Sequence, residues 1–280
     1  MKLGSISLAI AMGLFSVTAM AEGSHGSHSS HDNMGGKACE GFGPQTPRDI
    51  DNLAGENKRL FTLAPKSSEM NLCNIHFHNN AEHKAKDFSI LAKEKVGHDG
   101  HASGGGYQCG MSKSLTKAEL KAPRGEICKG LVPGDTIEVH WVHTSCDIKP
   151  GKGLGSCVSD ACANPDLRVE TQVFTVVNDR SALNFNDMTY DGNMANGLHQ
   201  AKMIPATTGK PVEFLGSTTG PKYTEQSCSP YQVTWSVRPQ CAKIDINSLG
   251  EWCKGNEFKE DHAHGVRKLV TNPKLLSDIN

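Results

Sequence analysis

Two stretches of this chain alternate apolar and polar positions with a period of two, and in both the polar positions are held by histidine. In an extended strand successive side chains face opposite ways, so along Asn71 to Asn79 the residues Ile75 and Phe77 share one face and His76 and His78 the other. Two rises of about 3.3 Å put those imidazoles roughly 6.6 Å apart. Asp135 to Ser145, entered through the turn Pro133-Gly134, repeats the pattern with Ile137, Val139 and Trp141 on one face and Glu138, His140 and Val142 on the other. Arg59 to Leu63, Pro211 to Leu215 and Tyr231 to Val237 read as further strands, and Val173, Phe174, Val176 and Val177 predict burial on both faces of Leu167 to Asn178. Many short strands, turn residues between them and no sustained helical period predict a mainly β, single-domain fold: a central, largely antiparallel twisted sheet with short peripheral helices.

The remaining segments are read by contrast. Cys39 to Ile50 is turn-rich and expected along the surface, and Glu82 and His83 are expected on the rim after the first histidine strand. Residues 97 to 110 are glycine-rich and read as a mobile loop carrying His98 and His101. Cys146, Cys157 and Cys162 enclose what reads as a disulfide-tied surface loop, and beyond Cys253 the tail is charged and expected to be peripheral, His262 and His264 included. Cys73 falls, by strand parity, on the face away from His76 and His78, which makes it structural.

Composition changes the picture at the N-terminus. Lys2, the apolar run Ile6 to Met20 and the small-x-small site Ala19-Met20-Ala21 read as an export signal cleaved after Ala21, so residues 1–21 are set aside from the fold. Residues 22–37 have no apolar period and read as a disordered tail whose His25, His28 and His31 are open to loose metal contact; the folded domain is expected over 38–280. No later stretch is long and apolar enough for a membrane helix. Ten cysteines, all downstream of Ala21, suit an oxidising compartment, periplasmic or outside the cell, and an even set of disulfides whose pairing spacing does not settle. Charge is balanced, 29 Lys and Arg against 30 Asp and Glu, with no basic patch, which argues against nucleic acid as a partner.

The candidate chemistry follows from the two histidine faces. Were the two segments neighbouring antiparallel strands, His140 would approach an ion held by His76 and His78, and three neutral imidazoles with a fourth place for solvent are the ligand set of a catalytic zinc.

These residues resemble a known family. His76-Phe77-His78, Glu82-His83 and Glu138-Val139-His140-Trp141-Val142-His143 are similar to the zinc-site strands of alpha-class carbonic anhydrases. Gly216-Ser217-Thr218-Thr219-Gly220-Pro221 and Val233-Thr234-Trp235 resemble that class's threonine turn and Val-Thr-Trp strand, and Cys39 with Gln45-Thr46-Pro47 its N-terminal segment. Asn71-Leu72-Cys73-Asn74-Ile75-His76-Phe77-His78 with Ala81-Glu82-His83 looks closest to the delta class, including its bacterial members.

The resemblance implies an alpha-carbonic-anhydrase-like fold and reversible hydration of carbon dioxide to bicarbonate by zinc-bound hydroxide, with Zn2+ on His76, His78 and His140. It implies that Glu138 orients a ligand imidazole, that Thr218 or Thr219 relays to a gatekeeping Glu82, and that Val142, Val233 and Trp235 form the substrate wall. It also implies a Cys39–Cys228 disulfide. The chain departs from the alpha pattern in a shorter His78 to Glu82 spacing, in the missing Leu before the threonines, in an insertion around Glu225, and in lacking a histidine at the proton-shuttle position; His83, His98, His101, His143 and His199 are the candidates left. Two rival readings are a cupin-type metalloenzyme, since His76-x-His78-x3-Glu82 also satisfies the first cupin motif, and a non-catalytic periplasmic zinc carrier, suggested by the histidine tail.

Overall fold

The computed structural model describes residue 39 and residues 41–280, except 94, 97–101, 104 and 126. The export signal, the tail histidines, His98 and His101 lie outside the described residues. The central sheet is built from β1 (Asn71–Asn79), β2 (Thr136–Thr144), β3 (Leu167–Val177), β4 (Val212–Ser217), β5 (Gln232–Val237) and β6 (Ala242–Asp245). Its order is β1-β2-β3-β5-β4, with β6 also on β3. The β1–β2, β2–β3 and β4–β5 ladders are antiparallel. On its far edge β3 pairs in parallel with β5 over Arg168–Thr171 and with β6 over Phe174–Val177. That double use explains why β3 is the longest strand and is buried on both faces, as its Val-rich sequence predicts.

The two faces of the sheet feed two separate cores. Ile75, Phe77, Val139, Trp141, Phe174 and Val176 pack beneath α1 (Ile246–Cys253), which presents Ile246, Leu249 and Trp252 at a spacing of three. Asp245 caps this helix by accepting from the Asn247 N–H, and the buried Trp141 indole donates to the Met188 carbonyl at 2.9 Å. On the other face Val142, Val169, Val173, Val233 and Trp235 form the second core, on the side that carries the histidines.

The ten cysteines form five disulfides, Cys39–Cys228, Cys73–Cys157, Cys109–Cys241, Cys128–Cys253 and Cys146–Cys162, and none is left free. Such a set belongs to an oxidising, extracytoplasmic compartment. Among the described residues no helix is long and apolar enough to cross a membrane.

Several expectations are corrected. The β1–β2 register shifts between Leu72 and Asn74, so Cys73 leaves the Ile75 face and packs with Val142 and Trp235 on the histidine side. It is structural, through Cys157, but not for the reason parity offered. Arg59 to Leu63 forms no strand, because this apolar stretch meets no sheet edge and Leu60 and Leu63 stay exposed. Gln45 to Arg48 is buried rather than superficial, since Thr46 Oγ1 accepts from the Ser217 N–H and Gln45 Oε1 from the Ser229 N–H. Gly216 permits that approach: a Cβ there would meet Thr46 Oγ1 at 2.0 Å. Glu82 and His83 are buried, not on the rim, because the chain turns inward after Asn80 (φ 69°). Nor is the tail beyond Cys253 peripheral, for the His264 N–H donates to the Phe77 carbonyl and the Asn79 N–H to the His264 carbonyl, laying residues 262–265 along β1.

His143 is fully buried, and its Nδ1–H donates to the Trp141 carbonyl. Burial lowers its pKa to about 4, opposed by Glu170 and that carbonyl and assisted by Arg168. Between about 6.5 and 4 the unfolded chain binds a proton that the folded one refuses, so His143 costs no stability above pH 6.5 and progressively more as pH falls towards 4. The loss approaches roughly 3 kcal/mol for this one group. Denaturant titration of the metal-free protein at pH 7 and pH 4 is expected to show it, with His143→Gln losing less stability over the same interval.

Candidate metal centre

The antiparallel register places His76 directly opposite His140 and His78 opposite Glu138. The three imidazoles gather with ring centroids 5.2, 5.1 and 4.7 Å apart. Each has one nitrogen committed to the protein. His76 Nδ1–H donates to Asn74 Oδ1 at 2.6 Å, His78 Nδ1–H to the Gly265 carbonyl at 2.9 Å and His140 Nε2–H to Glu138 Oε1 at 2.7 Å. These partners set the tautomers and leave His76 Nε2, His78 Nε2 and His140 Nδ1 as bases pointing at one another.

Three observations fit a metal ion. The ligand atoms of His76, His78 and His140 lie within 4.8 Å of one another, and no fourth His, Cys, Asp or Glu joins the group among the described residues. His78 Nε2 is buried with no hydrogen-bond partner. His140 Nδ1 and His76 Nε2 stand 3.3 Å apart, close to the separation of about 3.3 Å for two nitrogens each 2.0–2.1 Å from a tetrahedral ion. The rings of His76 and His78 are also kept neutral. Burial lowers the His78 pKa to about 4 against the pull of Glu82, and burial together with the neighbouring rings of His140, His78 and His264 holds His76 well below the usual range. Metal binding at neutral pH therefore displaces no proton from these two.

Glu138 is the buried charge behind the site. Besides His140, it accepts from the His83 ring at 2.7 Å and from the His83 N–H at 3.1 Å. Burial alone would raise its pKa, but His83 and His140 outweigh that and hold it below the ordinary carboxylate range. His83 is thus tied to Glu138, its ring packed at a tilt of 58° against Trp235 with ring centroids 4.7 Å apart.

A cavity of about 490 Å³ opens over the three nitrogens. Val142, Val233 and Trp235 line it as the resemblance implies, joined by Leu167 and Val169, and the Trp235 ring lies 5.1 Å from that of His140. Thr218 and Thr219 line it as well. Leu154, Val158 and Cys157 close one flank, and the Cys73–Cys157 disulfide ties that flank to β1.

The Thr218–Glu82 hydrogen bond implied by the resemblance is not formed. Glu82 Oε1 accepts from the Arg267 N–H at 2.9 Å and Oε2 has no partner, whereas Thr218 Oγ1 lies 2.6 Å from Ser229 Oγ. Of the shuttle candidates that are described, none lines the cavity. His83 and His143 are fully buried, and His199 Nδ1 is 2.7 Å from the Tyr190 hydroxyl. The non-ligand imidazole that does line it is His264, whose Nε2 is 2.6 Å from Glu260 Oε2 and whose ring lies 5.6 Å from that of His76. His264, Glu260, Gly265, Asn74 and Ser229 were missed from sequence. Asn74 alone carried a signal, since it shares the face of His76 and His78.

The comparisons follow this geometry. The family model described as delta carbonic anhydrase matches residues 67–248, well over half of the chain and both histidine strands. The chain belongs to the delta carbonic anhydrase family. Its activity is accordingly the reversible hydration of carbon dioxide. No curated protein matches. Solved structures that match include a hyperthermostable carbonic anhydrase from an active hydrothermal vent chimney, 14% identical over 84% of this chain and 86% of that one, at a TM-score of 0.29. Another is the Photobacterium profundum alpha-carbonic anhydrase, 16% identical over 83% and 87%, also at 0.29. At that score neither adds to the family match.

In this carbonic anhydrase the outer partners of the imidazoles bear on metal affinity, because an unpaired ring rotates and changes tautomer. Asn74→Ala and Glu138→Gln are each expected to weaken zinc binding by about 10- to 100-fold, measured by competition with a chromophoric chelator.

Proposed function

We propose that His76, His78 and His140 hold a catalytic zinc ion and that the chain uses it to interconvert carbon dioxide and bicarbonate in the periplasm or outside the cell, after removal of residues 1–21. The observation that carries this reading is the convergence of three imidazole nitrogens, from His76, His78 and His140, within 4.8 Å of one another in the lining of an open cavity. Zinc held by three imidazoles supplies hydroxide at neutral pH by lowering the pKa of its water to about 7, a value known from carbonic anhydrases themselves and taken over unchanged.

The chain's own residues do the rest. Asn74, Gly265 and Glu138 hold the outer nitrogens of the three rings, so the inner ones are presented as bases without rearrangement. Glu138, ionised between His83 and His140, places negative charge behind the His140 ring. Val142, Val233 and Trp235 offer an apolar wall beside the ligands that suits an uncharged linear molecule better than water. Thr218 and Thr219 also line the cavity, where their hydroxyls would be the groups to hydrogen-bond oxygens held at the metal; Glu82 sits behind His78, its Oε1 3.5 Å from His78 Nδ1.

Stopped-flow hydration of carbon dioxide tests the proposal. The purified protein is expected to carry about one zinc per chain, to lose turnover on chelation and to regain it when zinc is restored. His78→Ala is expected to lose both metal and activity. Wild type carrying stoichiometric zinc with no hydration above buffer would overturn it.

A further inference from the structure

Thr218, in the wall of the cavity that holds the three histidines, has a hydroxyl, not a carboxylate, as the partner of its side chain. Thr218 lines the cavity with the three histidines, and its Oγ1 lies 2.6 Å from Ser229 Oγ. Ser229 is 2% exposed and held from several sides. Its N–H donates to Gln45 Oε1 at 2.9 Å, its carbonyl accepts from Gln45 Nε2 at 3.0 Å and its Oγ accepts from the Tyr231 N–H at 3.2 Å. Gln45 is itself engaged by Arg267 Nη1 at 3.2 Å, and the Thr218 N–H donates to the Tyr231 carbonyl at 3.0 Å. Both hydroxyls therefore sit on held backbone, and Tyr231 joins the two, its N–H bonding Ser229 Oγ and its carbonyl the Thr218 N–H.

We propose that Ser229 is the positioning residue for the Thr218 hydroxyl, and that the Ser229–Thr218 pair forms a reversible hydrogen-bond gate over the metal's open position. The inference rests on the proposed zinc site. A carboxylate behind the threonine accepts only, so it obliges the threonine to accept from whatever sits in front of it. A serine hydroxyl has one proton and two lone pairs, and the Tyr231 N–H occupies one of those lone pairs. With the other, Ser229 accepts a hydrogen bond from Thr218, and the threonine oxygen accepts one from an O–H in the cavity. When Ser229 donates its hydrogen bond to Thr218 instead, Thr218 turns its own O–H towards a cavity oxygen that carries no proton; each hydroxyl keeps its proton throughout. The pair thus serves both hydroxide, which donates, and bicarbonate oxygens, which accept. It does not exclude aprotic anions.

The test uses full-length protein in zinc and cobalt forms, comparing wild type with Ser229→Ala, Thr218→Ala, their double variant and the conservative Ser229→Thr. Thermal unfolding and metal content identify any variant that is merely misfolded. One readout is the cobalt absorption spectrum during titration with thiocyanate, which is aprotic, and with hydrosulfide, which donates; the other is kcat and KM of carbon dioxide hydration. Wild type is expected to bind both anions. Ser229→Ala is expected to shift the ratio of the two affinities by about tenfold and to lower kcat by a similar factor with little change in KM. The double variant should match Thr218→Ala alone, and Ser229→Thr should recover most of the loss. Losses from Ser229→Ala and Thr218→Ala that simply multiply, or an unchanged anion ratio in Ser229→Ala, would overturn the gate. The anion titrations decide this even if hydration is absent, so failure of the gate and failure of the zinc anhydrase reading remain separable.

Discussion

Everything at the metal centre depends on the register between β1 and β2. Side chains alternate with a period of two, so a slip of one residue would turn His76 and His78 into the Trp141 core and put Phe77 in the cavity. The register is pinned at both ends. At one end the shift between Leu72 and Asn74 resets the pairing, with Cys73 tied to Cys157. At the other Asn80, in the left-handed conformation that asparagine tolerates, ends the strand as its N–H donates to the Thr136 carbonyl. Between these points each ligand is set by which residue stands across from it.

The same pairing decides the electrostatics. With Glu138 across from His78 and two residues from His140, one carboxylate is buried within reach of His140 and of the inward-turned His83. An unpaired charge in that position would be strongly destabilising; three N–H donors make it tenable. The His76 and His78 rings themselves carry no such charge, because burial favours their neutral form. The site therefore stores negative charge one bond-length network behind neutral bases, an arrangement suited to receiving a cation.

The cavity, by contrast, is assembled from segments far apart along the chain. Residues 260–265 lie beside β1 and contribute a backbone acceptor for His78 and the Glu260–His264 pair. Gln45 and Thr46, from the N-terminal end, brace the strand and turn that carry Ser217, Thr218 and Ser229. Cys39–Cys228 and Cys73–Cys157 join such segments covalently, removing freedom chiefly from the unfolded chain. Disulfides thus stand in for the regular secondary structure that the loops around the cavity lack.

The alternation of apolar and histidine residues by itself determined the two ligand strands, their inward and outward faces, the burial of β3 on both sides and the parity of Glu138 with His140, since these follow from local backbone geometry. The order of motifs pointed to the family that the match over residues 67–248 then established. The family resemblance also carried the Cys39–Cys228 pair, but only the tertiary structure decided the other four disulfides, the inward turn of Glu82 and His83, the return of His264 to β1 and the choice of Ser229 as the neighbour of Thr218. Those contacts join residues with no shared periodicity, so they exist only once the chain has closed on itself; Arg59 to Leu63 shows the converse, an apolar stretch that becomes no strand because no sheet edge is there to receive it.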